Sequence, residues 1–130
     1  MKYNEKRFLC RAKSLEDKDK WIIGYYQPSM TLNGKSFPAT ITRVGEDGWL
    51  EDVPVDESTV GQFSGMIDKN KNDIVEDDLV LYMDGTKPLL IEYIRGAFRV
   101  DGSRPIMNYD PSSQFEVIGN IVDNPELLRE

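Results

Sequence analysis

The chain contains no histidine and a single cysteine among its 130 residues. Without an imidazole, Ser-His-Asp and Cys-His nucleophilic catalysis, His-ligated zinc and histidine acid-base chemistry are all excluded. One thiol makes no internal disulfide, so nothing in the framework depends on an oxidising compartment, and a reducing cytoplasm fits the composition. Long apolar runs are missing too: Leu79 to Met83 falls far short of the roughly 20 residues that a membrane helix needs. There is no excess of cations. The 23 acidic and 16 basic residues leave a formal charge of -7, which opposes non-specific attraction to nucleic-acid phosphate. Neither standard Gly-rich phosphate loop occurs. Met1 to Arg7 is charged but leads into no apolar stretch, so it is not read as a secretory signal.

What is present is the composition of one folded domain, 1–130, with one core. Arg7 to Lys13 alternates, placing Phe8, Cys10 and Ala12 on one face of a half-buried strand. The polar turn Glu16 to Lys20 returns the chain as Trp21-Ile22-Ile23-Gly24-Tyr25-Tyr26, which completes a hairpin. Asn33-Gly34, between Met30-Thr31-Leu32 and Lys35-Ser36-Phe37, predicts a second hairpin because both residues tolerate positive φ. Gly45 to Gly48 predicts a third, between Ala39 to Val44 and Trp49 to Val53. Leu79 to Met83 pairs with Leu89 to Ile94 across Asp84 to Pro88, and Phe98 to Val100 and Gln114 to Ile121 are further strands. Residues 103–113 have no periodicity and read as a mobile loop. Asn124-Pro125-Glu126 opens a short C-terminal helix, with Asn as N-cap and Pro at the first position. Turn signals at short intervals and no sustained helical period make the class mainly β, a barrel or roll.

Three blocks carry a resemblance. Phe8-Leu9-Cys10-Arg11-Ala12 with Lys20-Trp21-Ile22-Ile23-Gly24-Tyr25 is the first. Thr59-Val60-Gly61-Gln62-Phe63-Ser64-Gly65 through Asp68-Lys69-Asn70 to Asp78-Leu79-Val80 is the second. Phe115 to Ile121 with Asn124-Pro125-Glu126-Leu127-Leu128 is the third. In order and spacing these blocks are similar to the YopX family, small proteins typically encoded by phages and prophages. The resemblance implies an SH3-like β-barrel or roll with an N-terminal β-hairpin extension, and it implies no activity. Lys71 and Asp77 stand where the family pattern usually has Gly, so the turn details differ and Asn72 is a candidate for the left-handed position.

The chemistry that remains is sparse. Asp68 to Asn72 matches the first half of a calcium loop, but Asp73 replaces the Gly of the sixth position and Leu79 the Glu of the twelfth. Glu76-Asp77-Asp78 reads as a solubilising run flanking a strand. On that reading Asp68→Ala is nearly silent, whereas replacing Gly61 or Leu79 is damaging. Gly65 and Gly119 are assigned, like Gly61, to turns or close packing. Cys10 reads as a packed small hydrophobe. Trp21, Tyr25, Tyr26, Trp49, Tyr82, Tyr93 and Phe98, with Arg7, Arg11, Arg95 and Arg99, have the makings of a stacking platform for single strands, but core packing explains most of them, Trp21 and Trp49 included. No catalytic, cofactor-binding or metal residue is assigned. The expectation is a non-enzymatic, cytoplasmic accessory protein that binds a host or phage protein, with self-association through open sheet edges compatible with the class. The alternative is a nucleic-acid-binding SH3-like barrel using Arg95, Arg99 and Arg104.

Overall fold

The computed structural model describes residues 5–128. The chain is mainly β and divides into two compact units, with the boundary between Gln62 and Phe63.

In the first unit, a 3-10 turn at Glu5–Phe8 precedes β1 (Cys10–Lys13), which pairs antiparallel with β2 (Trp21–Gln27), Arg11 opposite Ile23 and Lys13 opposite Trp21. The strand expected from Arg7 thus starts three residues later, and Phe8 lies exposed in the turn. The Asn33-Gly34 hairpin forms as β3 (Met30–Leu32) and β4 (Lys35–Phe37), with φ of 50° and 79° at its tip, and it makes a two-stranded sheet of its own. β5 (Thr40–Val44) and β6 (Leu50–Pro54) form the third hairpin, and β5 also pairs with β2. Gly24 is required at that pairing, because a Cβ there would overlap the Thr42 carbonyl and lie 2.8 Å from Ile41 Cγ2. The strand order is β6-β5-β2-β1, followed by the first residues of β7 (Gly61–Ile67).

Asp56 caps the 3-10 turn Glu57–Thr59 by accepting from Ser58 N–H, and Thr59 Oγ1 accepts the Lys13 amide at 2.8 Å. The turn therefore precedes Gly61, the first residue of β7. Ala12, Ile22, Ala39, Ile41 and Val55 form the core of this unit.

In the second unit, the remainder of β7 pairs with β8 (Asp73–Val75) through an irregular register in which Gly65 has φ of 83°. β9 (Asp78–Tyr82), β10 (Leu89–Ile94), β11 (Ala97–Val100), the two-residue β12 (Arg104–Pro105) and β13 (Phe115–Asn120) form a sheet in the order β12-β11-β10-β9-β13. Ile74, Val80, Ile91, Val100, Ile106 and Phe115 are its core. Each unit thus buries a cluster of apolar side chains.

Three expectations are corrected. The sheets are open and no closed barrel is present among the described residues. The C-terminal segment Pro125–Leu128 is one 3-10 turn, not an α-helix. Residues 103–113 are not a featureless loop, since they hold β12, a 3-10 turn at Ile106–Asn108 and the start of a one-turn helix, α1 (Pro111–Gln114).

The two departures from the family's glycine pattern resolve clearly. Lys71 and Asp77 themselves adopt φ of 65° and 76°, whereas Asn72 stays out of the left-handed region. A left-handed L-residue costs on the order of 1–2 kcal/mol, part of which glycine returns as unfolded-chain entropy. Lys71 is exposed. Lys71→Gly is therefore expected to stabilise the protein by roughly 0.5–1 kcal/mol, read as a higher urea midpoint at constant slope. An unchanged or lower midpoint would show that the turn carries no such strain.

Candidate functional site

The carboxylates singled out in the sequence do not converge on an ion. Asp68 is 1% exposed, and its position inside the turn 68–72 makes it a hub for backbone donors. Its Oδ1 accepts the amides of Asn70 at 2.9 Å and Asn72 at 2.8 Å, while Oδ2 accepts the amide of Val117 at 2.9 Å, from β13. Asp78, equally buried, accepts Val75 N–H at 2.8 Å. Among the described residues no group of three or more carboxylate or thiol side chains is placed to hold a metal. The expectation that Asp68→Ala is silent is overturned by this burial and bonding.

The proposed stacking platform disperses. Tyr82 is packed with Tyr109 and Phe115, at centroid distances of 5.4 and 5.6 Å, against the core of the second unit. Tyr93 and Phe98 form a separate edge-to-face pair at 4.9 Å. Arg99 is engaged by backbone carbonyls, donating to Ile94 and Ser103 at 2.9 Å each, and Arg95 occupies a turn at φ 54°. Trp49 is 76% exposed on the β5–β6 turn, contrary to its core assignment. Arg7 lies 4.8 Å from the centroid of the Phe8 ring. Cys10 is partly buried.

What does assemble is an outward face on the sheet of the first unit. Side chains alternate along strands, and in β2 Ile22 and Gly24 point inward while Trp21, Ile23 and Tyr25 point outward. The register sets Tyr25 opposite Thr42 and Val44 opposite Leu50, so Val44 and Leu50 share that face. Ile23, Tyr25, Val44 and Leu50 are each about half exposed or more. Trp21 is only partly exposed because Arg11 and Lys13, its neighbours on β1, lie 4.8 and 4.6 Å from its ring. Such cation-ring contacts hold the indole in place and contribute on the order of 0.5–1 kcal/mol at exposed sites. The sequence concealed this face because Trp21-Ile22-Ile23-Gly24-Tyr25-Tyr26 is apolar on both sides. On the β3–β4 hairpin, Met30, Leu32 and Phe37 make a second exposed apolar face.

Two groups around the first unit have shifted acidities. The Tyr26 phenol is pushed up by burial and by Glu57, to whose Oε1 it donates at 3.4 Å. The Ser58 hydroxyl, and then the Ser58 amide, hold the Asp56 carboxyl below the usual carboxylate range. The capping contribution of Asp56 is thus present above the ordinary carboxylate pKa and is lost as pH falls through the lowered value.

A family model described as YopX protein matches residues 2–129. Among solved structures, the crystal structure of protein yopX from Bacillus subtilis is similar, with 18% identity and a TM-score of 0.53, covering 95% of this chain and 99% of that one. At that identity the likeness concerns the fold. No curated protein matches the chain.

Proposed function

We propose, from the premise that this chain belongs to the YopX protein family, that it is a non-enzymatic accessory protein of phage or prophage origin. It acts in the cytoplasm by binding a host or phage protein. The observation that carries the reading is the outward face of Trp21, Ile23, Tyr25, Val44 and Leu50, apolar side chains gathered on one side of a sheet and left partly or largely exposed. Exposed apolar side chains gathered on one face mark interaction sites. We also read the first unit as an SH3-like roll, supported by its run of antiparallel strands and by the bridge from Ser14 to Val55 that returns the end of β6 to β1.

The test is capture of partners from host lysate on immobilised protein, with Tyr25→Asp and Leu50→Asp as comparators. A specific partner lost by at least about tenfold in both variants is expected, since a charge set into an apolar contact costs several kcal/mol. Equal retention by all three proteins, or no partner at all, would defeat the reading. The nucleic-acid alternative draws less support because Arg99 is tied to backbone carbonyls. Salt-sensitive binding of single- or double-stranded DNA or RNA would revive it.

A further inference from the structure

β6 stands at the free end of its sheet. The backbone bonds Gly45 N–H to Trp49 C=O at 2.8 Å and Val55 N–H to Ala39 C=O at 3.0 Å fix which antiparallel pairs exchange hydrogen bonds. They place the odd-numbered residues of β6 in bonding positions towards β5, so Leu50 and Asp52 direct their N–H and C=O to the open edge. At the far end that edge is already used, since Leu15 N–H donates to Pro54 C=O at 3.1 Å and Ser14 bridges Val55. Beyond that bridge, residues 14–20 and β6 line a depression of about 300 Å³, and a second of about 590 Å³, at the β5–β6 turn, shares Lys20, Arg43 and Glu51 with it. Glu16, Asp17, Glu46, Asp47, Glu51 and Asp52 line them, against Lys20 and Arg43 as the cations.

We propose that this edge is a β-augmentation site that takes an extended, lysine- or arginine-bearing segment of a partner protein as an added strand beside β6. The proposal rests on the protein-binding reading above and names the class of partner. The added backbone bonds to Leu50 and Asp52, as extended peptides bond to open sheet edges elsewhere. Alternate side chains of such a segment face opposite ways. Apolar ones reach the outward face at Val44 and Leu50, and basic ones meet the groove carboxylates. A second copy of this chain is a poor occupant: two-fold antiparallel pairing about Asp52 opposes Asp52 to its own copy, and both chains carry net charge of -7.

The experiment uses the full chain and a fluorescein-labelled peptide of alternating lysine and valine, with fluorescence anisotropy at low salt. The controls are an alternating glutamate-valine peptide and the lysine-valine peptide with alternate backbone nitrogens methylated. Binding of the lysine-valine peptide is expected, weakened by at least about tenfold in each control and by added salt. Leu50→Pro removes an edge N–H that the fold does not use and is expected to weaken binding comparably. Should that variant not fold, the double variant Glu16→Lys, Glu46→Lys provides the same reading through charge. Failure of the lysine-valine peptide to bind, or equal binding of its methylated form, would overturn the proposal. So would concentration-dependent dimerisation of the chain that Leu50→Pro abolishes, which assigns the edge to a second copy. If a captured partner is lost by Tyr25→Asp and kept by both edge variants, the augmentation site fails while the protein-binding reading stands; if all variants keep it, both fail.

Discussion

Asp68→Ala is expected to destabilise the protein by about 2–4 kcal/mol, because it removes a buried carboxylate that accepts from three part-buried backbone amides at once. The amides of Asn70, Asn72 and Val117 all end on this one carboxyl group. An alanine methyl accepts nothing, and each donor left without a partner forfeits about 1–3 kcal/mol unless water reaches it. Asp68→Asn keeps one acceptor oxygen and should lose about half as much. Urea unfolding checks both, with a lower midpoint at constant slope. A loss below about 1 kcal/mol for the alanine variant would mean that the hub is not what joins the turn 68–72 to β13.

Phe115→Ala is expected to cost a comparable 3–5 kcal/mol or so, the usual range for truncating a buried phenylalanine. Phe115 is fully buried, its ring lies 5.1 Å from Tyr109 and 5.6 Å from Tyr82, and it packs with Ile74, Val80 and Ile91. Removing it opens a cavity and leaves both tyrosine rings without their central neighbour. Near-UV circular dichroism should flatten, and amide exchange should accelerate in β9 and β13 before any change elsewhere in that sheet. Phe115→Leu, which keeps most of the volume, should retain most of the stability. Equal losses for leucine and alanine would point to a requirement for the ring itself rather than for filled space.

The legible part of this fold was its local punctuation. Asn33-Gly34 and the Gly45 to Gly48 turn placed two hairpins, and the apolar run Leu79 to Met83 placed β9, a strand between β10 and β13 in the second sheet, because these features act within a few residues of chain. Long-range partners were not legible. Asp68 looked like a solvated turn carboxylate because its partner Val117 lies 49 residues away. The outward face was hidden by β2, where both faces are apolar and only the pairing with β5 decides which is covered. Trp49 misled for a related reason: its size argued for burial, but its amide is held in the turn by Asp47 Oδ1 at 3.0 Å, and the ring is left in solvent. Lys71 misled in the opposite sense, since a residue that disfavours positive φ adopts it where the surrounding bonds demand it.

The β3–β4 hairpin has a practical use as a port for labelling. All of its strand residues are exposed, it pairs with no other strand, and a Cβ at Gly34 would meet nothing within 4 Å. Chain opened or extended at such a tip disturbs no buried backbone bond. A peptide tag or a fluorescent reporter inserted between Asn33 and Gly34 therefore leaves β2, β5 and β6 as they are, and allows the protein to be immobilised or tracked without touching the β6 edge and the face of Tyr25 and Leu50 proposed above for binding.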